Sequence, residues 1–158
     1  MSIRFTADEV LAIAEQIERN GARYYEAAAK IAADASLRDL LLDLAARERG
    51  HEQVFSGLRG VLTLREKEAN TQDPYDEIAL YLQALADASV FRPQTETAAL
   101  PPGAGAEEVL RHALALEKDS IVFYAGMREV VAEAQGRARV DEILREEMRH
   151  VATLTREL

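Results

Sequence analysis

Residues 46–55, ARERGHEQVF, and residues 145–154, REEMRHVATL, carry the same short pattern almost a hundred positions apart. Each segment places a glutamate three residues before a histidine: Glu48 and His51 in the first, Glu147 and His150 in the second. The whole chain has only three histidines, so two of them share this spacing. Because residues three apart lie on one face of an α-helix, the pattern predicts two helices that each present a Glu and a His together.

The pattern belongs to a larger internal repeat, in which landmarks of the first half recur in the second at an offset of 99 residues. In each half, another glutamate comes 30 residues before the Glu-x-x-His glutamate, and a tyrosine follows that earlier glutamate by seven residues. The landmarks are Glu18, Tyr25, Glu48 and His51, then Glu117, Tyr124, Glu147 and His150. A repeat of this kind indicates a duplicated supersecondary unit, here a helical hairpin.

Helix start and stop signals divide the chain into four long helices and one short one. Thr6 and Glu9 form a capping-box pattern that opens the first helix, and Ser36 with Asp39 gives a weaker start signal for the second. Gly136 is expected to separate the last two helices. The predicted long helices span residues 6–34, 36–67, 106–135 and 137–158, and the short helix spans residues 75–89.

The fold class predicted from these elements is all-α. Two hairpins, residues 6–67 and 106–158, are joined by a long crossover, residues 68–105, as in four-helix bundles with one crossover. The composition agrees, since Ala, Leu, Glu and Arg dominate and there are only 4 Pro in 158 residues. A chain of this length is expected to form a single domain over residues 1–158.

Charge and composition exclude several classes of function. The net charge of −9 predicts no nucleic-acid partner and no anionic membrane surface, because both would repel the protein. With no cysteine, the chain has no disulfide, zinc–thiolate site, iron–sulfur cluster or thiol nucleophile. No apolar run has the length of a signal peptide or a membrane span, so we expect a cytoplasmic protein.

The landmark residues all fall on the apolar stripe that each long helix should turn toward the bundle core. Four carboxylates facing one another in a core are costly to bury unless cations balance them, and two dications balance four Glu. Oxygen and imidazole ligands without thiolate suit iron or manganese, and this ligand set is that of di-iron carboxylate bundles. The predicted metal ligands are Glu18, Glu48, His51, Glu117, Glu147 and His150.

Simpler interpretations exist for individual residues. A lone Glu-x-x-His usually marks a surface pair, but here the repeat and the shared inward register favour a metal site. Tyr25 and Tyr124 could donate hydrogen bonds to ligating carboxylates across the bundle or could be plain core aromatics. His112 lies outside the stripe and is predicted to be a surface residue. Glycines within the helices, Gly21 and Gly50, could make room for ligands or substrate.

Four glutamates near the predicted ligands lie outside the core register: Glu15, Glu26, Glu52 and Glu146. We expect most of them to be solvated charges on the surface of the bundle. Glu52 and Glu146 are the two that could instead contact a ligand from outside and orient it.

The paired Glu-x6-Tyr and Glu-x-x-His arrangement, together with ALALEKDSIVFY at residues 113–124, resembles the rubrerythrin branch of the ferritin-like superfamily. The resemblance covers most of the chain, and its motifs are spread from residue 18 to residue 150. It implies a ferritin-like bundle with a non-haem di-iron centre that cycles between ferrous and ferric iron while hydrogen peroxide is reduced to water. Glu48 and Glu147 would bridge the irons and Glu18 and Glu117 would be terminal ligands, with manganese or zinc as possible substitute metals.

Two features depart from the rubrerythrin pattern. Full-length rubrerythrins carry a rubredoxin domain whose iron is bound by four cysteines, whereas this sequence has no cysteine. The electrons are therefore expected to come from a separate donor protein. Rubrerythrins also have an additional glutamate three residues after the third-helix ligand, and that position is Ser120 here.

The resemblance predicts an oxidoreductase active in oxidative stress, with peroxide or dioxygen as substrate, and a homodimer, which the apolar short helix also favours. Three alternatives stay open: a ferroxidase or iron-binding protein of ferritin type, oxidation of an organic substrate in an apolar pocket, and a metal-free helical interaction module. The sequence ends eight residues after His150, so we expect no additional C-terminal helix of the kind found in many cage-forming ferritins.

Overall fold

The computed structural model describes residues 6–62, 77–86, 100, 103–131 and 134–158. Within these residues the chain forms five helices and no strand. They are α1 (Ala7–Ile31), α2 (Ala35–Gly60), α3 (Glu77–Ala86), α4 (Ala106–Val130) and α5 (Ala134–Glu157). The predicted all-α fold class is confirmed.

The four long helices pack as two hairpins. Helix α1 packs extensively along α2, and α4 packs along α5, while the hairpins meet through sparser α1–α4 and α2–α5 contacts. Helix α3 lies against α4. None of the described helices has both the length and the apolar character needed to cross a bilayer. The assignment of residues 1–158 to one domain stays a prediction.

The inward stripe predicted from the sequence is the stripe that the helices bury. The landmark residues on this stripe are all buried: Glu18, Tyr25, Glu48, His51, Glu117, Tyr124, Glu147 and His150. One apolar cluster, which includes Leu41 and Leu154, fills one end of the bundle, and a second, which includes Met127, fills the other. The buried polar residues occupy the layer between these two clusters, so apolar packing closes the polar layer from both ends.

The start of α1 is as predicted, but the turn between α1 and α2 is not. The Glu9 side chain accepts from the Thr6 backbone N–H at 2.8 Å, and the Glu9 N–H donates to the Thr6 hydroxyl at 3.2 Å. Helix α1 ends at Ile31 rather than Asp34. Asp34, not Ser36, is the N-cap of α2, because its carboxylate accepts the otherwise unpaired N–H of Leu37 at 2.8 Å.

Two further helix boundaries differ from the predicted ones. Helix α2 ends at Gly60 instead of near residue 67, and residues 63–67 lie outside the described residues. Gly136 does not separate α4 from α5, because α5 already begins at Ala134. A Cβ on Gly136 would lie 2.6 Å from Cγ1 of Val131, so this glycine allows a close approach rather than a helix break. Helix α3 falls inside the predicted short helix, whose ends at 75–76 and 87–89 are not described.

Candidate metal centre

All six predicted ligands lie together in the polar layer at mid-bundle. Each helix of the two hairpins contributes through its inward face: Glu18 from α1, Glu48 and His51 from α2, Glu117 from α4, Glu147 and His150 from α5. Each of the six residues is buried, with at most 4% of its surface exposed. Each long helix supplies its ligands because the spacing of three or four residues keeps them on the stripe that it buries.

The six side chains form two groups that share two members. One group comprises Glu18, Glu48, His51 and Glu147, and the other comprises Glu48, Glu117, Glu147 and His150. Within each group, one oxygen or nitrogen atom per residue lies within 4.8 Å of the others. Glu48 and Glu147 are common to both groups, which is the arrangement that two bridging carboxylates require. The assignment of these residues as ligands stays a prediction that rests on this geometry.

Both histidines turn Nδ1 toward the carboxylates. Nδ1 of His51 lies 2.9 Å from Oε1 of Glu147 and 3.5 Å from Oε2 of Glu18. Nδ1 of His150 lies 3.2 Å from Oε1 of Glu48 and 3.4 Å from Oε2 of Glu117. Despite these short distances, Nδ1 of each ring and at least one oxygen of each carboxylate are buried without a hydrogen-bond partner. Buried polar atoms in proteins are normally paired, so lone pairs that converge in this way fit a cation held between them.

The electrostatics of the metal-free cluster lead to the same conclusion. Burial, together with neighbouring carboxylates, raises the pKa of Glu18 and of Glu48 well above the ordinary value. Burial and contact with Glu147 raise the pKa of Glu117 to about 8. Although burial opposes it, the close approach of the Glu117, Glu147 and Glu48 carboxylates to Nδ1 raises the pKa of His150 to about 12. The metal-free cluster therefore keeps protons that offset the negative charge of its carboxylates, and bound cations would take over that role.

Two tyrosines contact the cluster from the opposite hairpin. The hydroxyl of Tyr25 donates to Oε1 of Glu117, and the hydroxyl of Tyr124 donates to Oε1 of Glu18. Both tyrosines are buried, and each lies on the helix that carries the other's partner glutamate. The predicted hydrogen bonds across the bundle are therefore present, and they fix one oxygen of each of these glutamates.

His112, by contrast, stays outside the cluster. It is exposed, as the sequence predicts, and its ring stacks on that of Tyr24 with centroids 5.0 Å apart. Ser120 is buried, and its hydroxyl donates to the backbone carbonyl of Leu116 at 3.0 Å, so it remains satisfied within its own helix.

The off-register glutamates separate into two kinds. Three of them form ion pairs with arginines: Glu15 with Arg19 and Arg59, Glu26 with Arg49, and Glu52 with Arg19. The fourth, Glu146, instead places Oε2 2.9 Å from Nε2 of His51 on the facing hairpin. This hydrogen bond lowers the pKa of Glu146. Sequence reasoning offered Glu146 only as one of two options, since helical register cannot say which residues of α2 and α5 face each other.

The two helix glycines have opposite surroundings. A Cβ on Gly21 would lie 3.0 Å from Oε2 of Glu48, whereas a Cβ on Gly50 would meet no atom within 4 Å. The role of making room for a ligand therefore fits Gly21 and not Gly50.

We expect Gly50→Ala to stabilise the protein by about 1 kcal/mol, because alanine is the better helix former and the added methyl meets nothing. Gly21→Ala is expected to weaken metal binding, because the methyl presses on the glutamate shared by both groups. Thermal unfolding and a metal titration of the two variants, compared side by side, test this pair. Equal effects on metal binding would contradict the assigned role of Gly21.

Fold and cluster together define a class of protein. Four long helices around a buried layer of carboxylates and imidazoles are the architecture of bundle proteins that bind two metal ions. The chain belongs to the rubrerythrin family, since the sequence model described as Rubrerythrin matches residues 9–158.

A solved structure agrees on the fold. The chain is similar to the crystal structure of a protein from Thermotoga maritima assigned to the ferritin-like diiron-carboxylate class, with a TM-score of 0.77 and 22% sequence identity. The similarity covers 97% of this chain and 94% of that one. None of the curated proteins matches the sequence. The fold is therefore ferritin-like, and family and cluster together support iron binding.

Proposed function

We propose that this chain is a di-iron oxidoreductase of rubrerythrin type, which reduces hydrogen peroxide, or dioxygen, at the buried cluster. The observation that carries the proposal is the sharing of Glu48 and Glu147 between two four-residue groups. Two adjacent groups with common carboxylates suit a pair of ions that act on one small oxidant, rather than two separate structural ions.

Reduction of one hydrogen peroxide to two water molecules consumes two electrons and two protons, and two ferrous ions held by the two groups would supply one electron each. The side chains of the protein contribute position and charge. Four carboxylates balance two divalent ions, and the Nδ1 atoms of His51 and His150 complete the two groups. The hydroxyls of Tyr25 and Tyr124 hold Glu117 and Glu18, while the apolar layers above and below exclude bulk water.

We propose that a small oxidant approaches the cluster between α2 and α5. A cavity of about 270 Å³ lies there, and the predicted ligand His150 is one of the residues that line it. Its lining is largely charged or polar and includes Asp43, Arg47 and Arg149. Such a cavity suits peroxide or dioxygen better than an apolar organic substrate, which disfavours the organic-substrate alternative.

The electron donor is proposed to be a separate protein, because this sequence has no cysteine that could bind an iron–thiolate donor. A role in oxidative stress and a cytoplasmic location remain parts of the same proposal.

A homodimer is also proposed, and exposed apolar side chains support it. Leu80 and Tyr81 on α3 and Val122 on α4 are all exposed. The hydroxyl of Tyr81 donates to the carbonyl of Val122 at 2.5 Å, so these residues form one continuous surface. Native mass spectrometry distinguishes the expected dimer from a monomer and from a ferritin-like shell.

The proposed function is tested by anaerobic ferrous titration of metal-free protein, followed by peroxide or oxygen, with the near-ultraviolet absorbance of ferric iron as the readout. We expect two irons per chain, oxidised faster by peroxide than by oxygen. Faster oxidation by oxygen, with uptake continuing beyond two irons, would favour the ferroxidase alternative. Failure to bind stoichiometric metal would contradict the metal centre and would favour the interaction module.

Tyr124→Phe is expected to leave both ions bound but to weaken the group that contains Glu18 by about tenfold, because one oxygen of Glu18 loses its donor. Tyr25→Phe should act in the same way on the group that contains Glu117. Tyr24→Phe is the matched control, since the Tyr24 hydroxyl donates to the carbonyl of Val109 at 2.8 Å, away from the ligands. Metal affinities of the three variants, measured by calorimetry, check the prediction, and an equal loss in the control would contradict it.

A further inference from the structure

The two halves of the metal centre differ at the outer nitrogen of the histidine, although the internal repeat relates them. In one half, Nε2 of His51 lies 2.9 Å from Oε2 of Glu146. In the other half, Nε2 of His150 is buried, and no described residue makes a hydrogen bond to it. At the offset of 99 residues, the counterpart of Glu146 in the first half is Arg47. Arg47 has no carboxylate that could accept from Nε2 of His150, and its guanidinium pairs with Asp43 at 2.9 Å.

We propose that Glu146 is a positioning residue that makes the two metal positions unequal in affinity. By holding Nε2 of His51, it strengthens the position formed by Glu18, Glu48, His51 and Glu147, which we call position 1. Position 2, formed by Glu48, Glu117, Glu147 and His150, has no such support among the described residues. This inference rests on the proposed metal centre.

The physical basis is the coupling between the two nitrogens of one imidazole ring. When Nε2 carries the proton and donates it to a carboxylate, Nδ1 keeps its lone pair available for a cation. The contact with Glu146 also fixes the ring plane, with Nδ1 2.9 Å from Glu147. A ligand that is already oriented loses less freedom when an ion binds, and the nearby carboxylate makes the ring a stronger donor.

His150 has neither advantage. Its ring stacks beside that of His51 with centroids 5.7 Å apart. The shortest distance from its Nδ1 to a carboxylate oxygen is 3.2 Å, compared with 2.9 Å for Nδ1 of His51. Because no described residue accepts a hydrogen bond from Nε2, no contact outside the cluster helps to select the tautomer of this ring. Loss of such an outer hydrogen bond typically changes metal affinity by about 10- to 100-fold, which sets the expected difference between the positions.

The contact also joins the two hairpins. Glu146 lies on α5, directly before the shared Glu147, while His51 lies on α2. Because its side chain is 36% exposed, Glu146 can be replaced without creating a large cavity in the core. A substitution there therefore tests orientation of the ligand rather than packing.

The test is an anaerobic Co²⁺ titration followed by visible absorbance, which resolves the two binding constants. In the unaltered protein we expect constants that differ by about 10- to 100-fold. Glu146→Ala should lower the tighter constant toward the weaker one while two ions still bind. Glu146→Gln, which keeps an acceptor oxygen, should restore part of the loss. Glu142→Gln, an exposed change earlier on α5, should alter neither constant.

Nitrogen-15 spectra of histidine in the Zn²⁺-loaded protein provide a second readout that a purely structural role would not move. In the unaltered protein, His51 should be fixed as the tautomer protonated at Nε2, and this N–H should exchange slowly with solvent. In Glu146→Ala the same N–H should exchange rapidly. Equal constants in the unaltered protein, or no change in Glu146→Ala, would overturn the inference and leave the metal centre intact. If the unaltered protein bound no Co²⁺, the metal centre itself would be contradicted.

Discussion

Replacing Glu147 by glutamine is expected to remove metal from both positions, lowering each affinity by at least about 100-fold, or about 2.8 kcal/mol. The reason is that Glu147 contributes to both groups, so one substitution withdraws a ligand and a negative charge from each ion. With three carboxylates left, two divalent ions would also leave excess positive charge in a buried layer, which is unfavourable. Metal stoichiometry after dialysis against a metal buffer measures the effect.

The terminal ligands provide the comparison that makes this result specific. Glu18→Gln should weaken only position 1 and Glu117→Gln only position 2, since each residue belongs to a single group. Glu142→Gln, an exposed change earlier on the same helix as Glu147, should leave both ions bound. If Glu147→Gln lost one ion and kept the other, the bridging role of that carboxylate would be wrong.

Metal-free protein is expected to become less stable as the pH rises from about 5 to about 8. The folded chain keeps a proton on Glu117 up to a pKa of about 8, whereas an ordinary Glu releases its proton near 4.5. Above 4.5 the folded state therefore holds more protons than the unfolded state, so the free energy of unfolding decreases with pH. The cost is about 1.4 kcal/mol per pH unit for each such group. His150 contributes with the same sign above its ordinary value of 6.5.

Bound ions replace these protons, so the metal-loaded protein should not share this loss. The difference in melting temperature between metal-loaded and metal-free protein is expected to widen as pH rises, as circular dichroism at several pH values would show. Metal-free Glu18→Gln should show a shallower decline, because it lacks one of the carboxylates whose pKa burial raises. A difference in melting temperature that stayed constant from pH 5.5 to 8.5 would contradict this account.

The fold and the cluster were predictable because one spacing determines both. Residues three or four apart share a helix face, so the register that buries Leu44 and Phe55 also buries Glu48 and His51. The repeat at an offset of 99 residues then relates the second hairpin to the first. For the same reason, the tyrosine hydrogen bonds to ligands of the opposite hairpin could be anticipated.

What the sequence did not reveal depends on contacts between elements rather than within them. Asp34 acts as a cap because of the way the chain turns after α1, and Gly136 is required by the approach of Val131. Glu146 looks like any exposed glutamate of a helix until the facing residue of α2 is known. Helical periodicity fixes a face, but it carries no information about which residue of a neighbouring helix lies opposite.

Neither hairpin can complete a metal position by itself. Position 1 needs Glu147 from the second hairpin, and position 2 needs Glu48 from the first. The ions would thus act as cross-links at the seam where the hairpins touch each other least. Uptake of metal would then report that the two halves have docked, and a chain that misassembles would fail to retain its ions.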